Sequence, residues 1–279
     1  MKDIWNQDQI ITLMLRAGSC ALDLFQNVES ELKPDESLVT VADLRVEKMI
    51  RESLESPQDG HFVIGEESVE HKDSDYISAA LKKVSYIVDP IDGTSNYANG
   101  IELWGISIGC SIDSRLVHGA IYLPALGELF ITQNKQVIFY RVVDGKLSGE
   151  GQALEKPKQK PEKKAIISVT QKVAKGGKYK GASNICCLGV AVYSLLNVLR
   201  GRYNAYVGKL KLWDIAGAIP MCERLGIKSI LGCGKEVGAL ISADDYHLDP
   251  NGKRPFGLKK ELFFCHTDAY ERLADQLKF

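Results

Sequence analysis

A mixed α/β fold is what this 279-residue sequence predicts, and three observations carry it. Apolar residues recur at helical spacing early in the chain, at Leu13, Met14, Ala17, Cys20, Ala21, Leu24 and Phe25. Apolar and small residues then alternate over Leu103–Thr132, as in Trp104, Ile106, Ile108 and Cys110, the pattern of an antiparallel meander. Beyond residue 165, short β-rich runs alternate with helical ones.

The opening periodicity makes a long amphipathic helix. A second helix covers 41–54, where Val46, Met49, Ile50 and Leu54 share a face. Asp43 falls in its first turn, an electrostatically favourable place for an acid. Strands follow at 61–65 (HFVIG) and 84–89 (VSYIVD), then the meander with a turn at Pro124 and Gly127, then a strand at 135–143. Together these predict a mostly antiparallel sheet with helices on one side. The stretch 155–164, EKPKQKPEKK, is a solvated loop that separates an N-terminal α+β lobe, 1–152, from a C-terminal α/β lobe, 165–279. In the second lobe AIISV (165–169) is a strand and 190–199 a helix ended by Gly201. A helix at 213–225 stops at Gly226, and 268–277 is the last helix.

Composition narrows the function classes. Hydrophobic residues at 45% and charged residues at 25% are ordinary for a globular chain, and the net charge of −1 gives no global attraction to nucleic acid or anionic membrane. Seven cysteines without a CxxC pair predict reduced thiols and a cytoplasmic setting. The five histidines form no zinc-type cluster, and no run approaches the ~18 apolar residues of a membrane span.

Two stretches stand out: IGEES (64–68) and VDPIDGTSNYANG (88–100). Pro90 cannot continue a central strand, which puts Asp89 at the carboxyl end of one and Asp92 a tight turn later. Gly93 permits close backbone approach, and Thr94, Ser95 and Asn96 are cap-type residues that open a short helix. Hard oxygen ligands beside free N–H groups suit a metal-bridged phosphate; the plainer reading is a capped Asp-Gly turn. An EF-hand is excluded because its alternating ligand positions fall on Ile91 and Gly93. A phosphoaspartyl mechanism of the haloacid dehalogenase type is excluded at this loop because Pro90 stands where the nucleophile would be.

IGEES, VDPIDGTSNY and LWDIAGA (212–218) resemble, in order, the three signature motifs of the inositol monophosphatase family. VTVADLRVEKM (39–49) is similar to the segment around that family's general base, and GISIG (105–109) to the strand after its metal loop. The resemblance implies a layered α-β-α-β-α sandwich and a magnesium-dependent, lithium-sensitive phosphomonoesterase, commonly a homodimer. It implies two to three Mg2+ per site, held by Glu66, Asp89, the Ile91 carbonyl, Asp92 and Asp214, with Glu67 in support. Asp43 and Thr94 would activate the attacking water, while Gly93, Thr94 and Ser95 would face the phosphate. Taken alone, Asp214 reads better as a favourable first-turn acid in a helix; the other two motifs make it a ligand.

The likeness departs at the substrate pocket. Where the family carries an acid before the Trp-Asp motif, this chain reads NAYVGKLKLWD (204–214), with Lys209 and Lys211 and no carboxylate. Those lysines either bind a second anionic group or alternate outward into solvent. In LGVA (188–191), Gly189, Val190 and Ala191 fall in the family's substrate contact, and Val190 replaces a hydroxyl residue. AKGGKYKG (174–181) reads as a mobile solvent loop, with contact to a nucleotide or bisphosphate as the other reading. The expected substrate is a small phosphorylated polyol, by default inositol 1-phosphate. Fructose 1,6-bisphosphate and adenosine 3′,5′-bisphosphate are the alternatives, and a non-catalytic role in transcription or RNA processing is the rival from another class.

Overall fold

The computed structural model describes residues 4–25, 28, 30–33, 38–252 and 254–278. Helix α1 (Gln7–Phe25) turns Ile10, Leu13, Met14, Ala17 and Ala21 inward. A short ribbon of β1 (Ser30–Leu32) and β2 (Leu38–Thr40) leads into α2 (Val41–Leu54). There follow β3 (His61–Gly65), α3 (Ser74–Leu81), β4 (Val84–Asp92), α4 (Thr94–Ala98), β5 (Gly105–Ile112) and β6 (Arg115–Leu123). The segment ends with β7 (Glu128–Gln133), β8 (Gln136–Val143) and β9 (Lys146–Ala153). Strands β3 to β9 form one seven-stranded sheet in sequence order, in which β3 and β4 are parallel and every later pair antiparallel.

The second half opens with β10 (Ile166–Val169), α5 (Gln171–Gly176), β11 (Lys178–Tyr179), β12 (Asn184–Cys186), α6 (Ala191–Leu199) and β13 (Ala205–Gly208). It continues through α7 (Leu212–Ala216), α8 (Ile219–Leu225), β14 (Lys228–Leu231), β15 (Leu262–Cys265), α9 (Thr267–Gln276) and β16 (Leu277–Lys278). A five-stranded sheet takes the order β12-β10-β13-β15-β14, parallel across its first three strands and antiparallel beyond.

The layers follow from which faces are apolar. On one face of the larger sheet, Met14, Ala17, Val46 and Ile50 of α1 and α2 pack on Val63, Val88, Ile106 and Ile108. On its other face, Leu195, Leu196, Trp213, Ile215 and Ile219 of α6, α7 and α8 meet Ile64, Ile87 and Phe130, and also reach Tyr206, Leu262 and Phe264 of the smaller sheet. Val173, Ala269 and Leu273 of α5 and α9 cover that sheet's outer face. The result is the α-β-α-β-α sandwich.

Four sequence expectations are corrected here. Helices lie on both faces of the large sheet, not one; β4 is buried along nearly its whole length, as a strand covered on both faces must be. Strand β4 does not stop at Pro90 but runs to Asp92, and a register shift against β5 between Asp89 and Asp92 absorbs the residue that cannot donate. The helix expected over 213–225 is two helices, because the chain turns at Gly217 and Pro220 opens the second. The 174–181 stretch is not a free loop: part of it ends α5, and Lys178 and Tyr179 pair with β16. Strand β9 escaped the sequence reading because every one of its residues is exposed, so no apolar alternation marks it.

The middle helices sit on the large sheet through main chain. An added Cβ at Gly109 would come within 2.6 Å of Ala216, and one at Gly119 within 1.9 Å of the Gly217 carbonyl oxygen. Any side chain at either position would push α7 off the sheet.

Candidate active site

The site is assembled where β3 and β4 end, where α4 and α7 begin, and beside the first turn of α2. Thr40 caps α2, and its backbone N–H donates to Asp43 Oδ2 at 2.8 Å. Its hydroxyl donates to the same oxygen at 2.5 Å, while the Asp43 N–H returns to Thr40 Oγ1 at 3.4 Å. This closes a reciprocal capping box. The other carboxylate oxygen, Oδ1, stands 3.3 Å from the Thr94 hydroxyl, which also lies 2.9 Å from the Ile91 carbonyl. Burial raises the Asp43 pKa to about 6, against the Thr40 hydrogen bonds that lower it.

Asp89, on the last regular stretch of β4, is 1% exposed, and its Oδ1 has no hydrogen-bond partner. Burial raises its pKa well above the carboxylate range, and Glu66, Asp92 and Asp214 add to the rise. Asp92 accepts the Val192 N–H at 2.5 Å and so holds the start of α6. Its pKa is raised by burial first and Asp214 second, against backbone N–H groups of Val192 and Ala191. Asp214, in the first turn of α7, accepts the Lys211 backbone N–H at 2.8 Å. Burial and then Glu66 raise its pKa to about 7.

The two glutamates of IGEES part company. Glu66 faces the aspartates and has the Lys211 ammonium 3.5 Å from Oε1. Glu67 turns to Lys33 at 2.6 Å, and its backbone N–H donates to Glu47 Oε2 at 2.8 Å. Burial first, then Glu66, raises the Glu67 pKa to about 8.

The structure thus brings Asp43, Glu66, Asp89, Asp92, Thr94 and Asp214 into one electrostatic neighbourhood. As the side chains stand, no three Asp, Glu, His or Cys groups among the described residues enclose a common point. Asp92 and Asp214 each lend an oxygen to a backbone N–H. The donor set nevertheless fits a hard divalent cation. Several carboxylates whose charged forms are penalised by burial, one with an oxygen bonded to nothing, need more positive charge than Lys211, Lys33 and Arg254 supply.

The remaining expected contacts are placed as follows. Gly93 has φ 94° and caps α4; a Cβ there would meet Val190 Cγ2 at 2.7 Å. That left-handed backbone and that close approach together explain the glycine. Ser95 is exposed on α4, and Ile91 is buried with its carbonyl turned to Thr94. Gly189, at φ 73°, precedes Val190, which is 1% exposed and packs against Gly93. Ala191 begins α6 beside Asp92. Lys209 is half-buried, and its pKa is lowered by burial, then by Arg254 and Lys172. Arg254 was not visible in the sequence reading; it donates to the Lys209 carbonyl at 2.6 Å and interacts with Asp214. Thr40 was also missed, although T-x-x-D before an apolar helix is a capping-box signal that could have shown it.

Comparison with known proteins identifies the family. The model of the inositol monophosphatase family matches residues 6–277. The chain belongs to the inositol monophosphatase family. Membership makes it, by class, a phosphoric monoester hydrolase. A histidinol-phosphatase of Chlorobaculum parvum is 28% identical over 77% of this chain and 82% of that protein. Inositol monophosphatase 1 of Homo sapiens is 25% identical over 78% of this chain and 81% of that one. Among solved structures, an IMPase of Thermotoga maritima superposes with a TM-score of 0.73 at 19% identity, covering 96% of this chain and 94% of its own. An IMPase/NADP phosphatase complexed with Mg2+ and phosphate gives 0.73 at 19% identity over 98% and 95%. At these identities the superpositions establish the family fold.

Proposed function

We propose that this family member hydrolyses the phosphate monoester of a small polyol by direct attack of water, with inositol 1-phosphate as the default substrate. The observation that supports it most is Asp89 Oδ1, buried without a partner beside Glu66, Asp92 and Asp214. Glu66, Asp89, the Ile91 carbonyl, Asp92 and Asp214 would hold magnesium, with Glu67 behind them. When bound, magnesium supplies charge neutralisation and a more acidic water.

The chain's own residues do the rest. Asp43 has Oδ2 fixed by Thr40, which leaves Oδ1 to work through the Thr94 hydroxyl. Proton transfer from the attacking water runs to Thr94 and Asp43, a weak base that suffices for an acidified water. Gly93, Thr94 and Ser95 face the phosphate from the start of α4, and Gly189, Val190, Ala191 and Lys209 wall the leaving group. Lithium sensitivity and a homodimeric state are carried over from the family.

One observation favours a second reading, in which the substrate bears another anionic group. Arg254 and Lys209 adjoin on the Asp214 side of the site, with Lys172 close enough to act on Lys209. Fructose 1,6-bisphosphate, adenosine 3′,5′-bisphosphate and NADP have such a group; histidinol phosphate does not. Phosphate release from all of these and from inositol 1-phosphate, with and without Mg2+, tests both readings. Magnesium-dependent release from any of them supports the hydrolase. A bisphosphate preference that Arg254→Met abolishes supports the second reading, and release from none overturns both.

A further inference from the structure

The family resemblance implies two or three divalent ions, and Lys211 bears on which. Lys211 lies in the turn between β13 and α7. Its backbone N–H donates to Asp214 Oδ2 at 2.8 Å, and its ammonium crosses to Glu66 Oε1 at 3.5 Å. The same ammonium lies 5.1 Å from the centroid of the buried Trp213 ring, a cation–π contact that restrains it from the protein side. Lys211 and Glu66 side chains are only 23% and 18% exposed, so the pair is set into the cleft and not on the outer surface. One residue therefore clips together two corners of the carboxylate cluster, Glu66 beyond β3 and Asp214 on α7.

Charge sets how many ions the cluster needs. Glu66, Asp89, Asp92 and Asp214 with a phosphate dianion carry about six negative charges, which roughly three divalent ions would balance. An ammonium already on Glu66 lowers that total to about five, so charge alone no longer calls for a third ion, and the ammonium fills the space beside Oε1. Glu67, the neighbouring acid, is separately neutralised by Lys33 at 2.6 Å and offers no replacement ligand.

We infer that Lys211 is the resident cation of the Glu66 corner: its ammonium takes the part there that a further divalent ion would otherwise have, and the site loads two divalent ions. The inference rests on the metal-dependent hydrolase reading above. An ammonium differs from a metal ion in that it neutralises Glu66 without drawing in waters, and it cannot be washed out by chelation.

The test counts Mn2+ bound to the full chain in the presence of inorganic phosphate, reading free Mn2+ by electron paramagnetic resonance. Wild type and Lys211→Arg should bind two ions. Lys211→Met, which keeps the stem over Trp213, should bind three, as should Lys211→Gln, which serves if the first variant folds poorly. Lys209→Met should stay at two, separating an effect of position from a loss of net charge. Equal counts in wild type and both neutral Lys211 variants, whether two or three, overturn the inference alone. No Mn2+ bound by any of the proteins, together with no phosphate release, overturns it along with the hydrolase reading beneath it.

Discussion

Asp43 and Asp89 are both buried acids at one site, and they are held in opposite ways. Asp43 is 0% exposed, yet one of its oxygens accepts two hydrogen bonds from Thr40 and the other faces Thr94. Asp89 is as deeply buried, lies among three further acids, and has an oxygen bonded to nothing. A buried carboxylate with its donors in place is a finished structural element; one without them carries a desolvation penalty of several kcal/mol until a cation arrives. The difference teaches that the α2 corner holds its carboxylate in one pose, as the base of the proposed mechanism requires. The β4 corner is built to be completed from outside.

The contrast can be broken by substitution. Asp89→Asn should lower kcat by on the order of 10³-fold, since it removes a ligand from a metal worth several kcal/mol in the transition state. In metal-free protein the same change should raise Tm, because it deletes an uncompensated buried acid. Retained turnover in the phosphate-release assay, or a lowered Tm by calorimetry, would reverse the assignment of Asp89. Asp43→Asn should cost about 10²-fold in kcat, the low end of general-base contributions.

The pH dependence sharpens the comparison. With its pKa held near 6 against an ordinary 3.8, Asp43 keeps a proton in the folded chain that the unfolded chain has released. Its contribution to stability is therefore present at low pH and lost as pH rises through that window, at up to about 1.4 kcal/mol per pH unit. Urea melts of metal-free wild type and Asp43→Asn across this range should differ in slope by that amount; parallel slopes would show that Asp43 titrates as an ordinary acid. The smallest effect belongs to Thr40→Ala. It should cost about 1 kcal/mol of stability and move Tm by about 2–4 °C, and a kcat loss smaller than that of Asp43→Asn would mark Thr40 as a positioning residue.

The parts legible in the sequence were those with a local signature. Helices α1 and α2 were written in their 3.6-residue apolar spacing, and the acids of IGEES and VDPIDGTSNY in their crowding beside β-rich runs. The family layering came through ordered motifs, not through periodicity. What stayed hidden depends on contacts distant in sequence. Arg254 comes to Lys209 only because the loop before β15 folds back over the end of β13, and β11 exists only because β16 lies beside it. Pro90 misled because a bulge can keep a strand going past a residue that cannot donate. Pro220 ends nothing by itself; it opens α8 after Gly217 has already been pinned to the sheet.

That pinning bears on how the enzyme can move. The contact of Gly119 with Gly217 is made by main chain and that of Gly109 with Ala216 by main chain and one methyl group, with no rotatable side chain between. A joint of that kind is a weld, not a hinge. Asp214, on the helix so welded, is tied by these contacts to the sheet that carries Asp89 and Asp92. On the proposed mechanism, admission of substrate and escape of phosphate then fall to side chains at the mouth such as Lys209, so product release should respond to its length and charge and not to any swing of the layers.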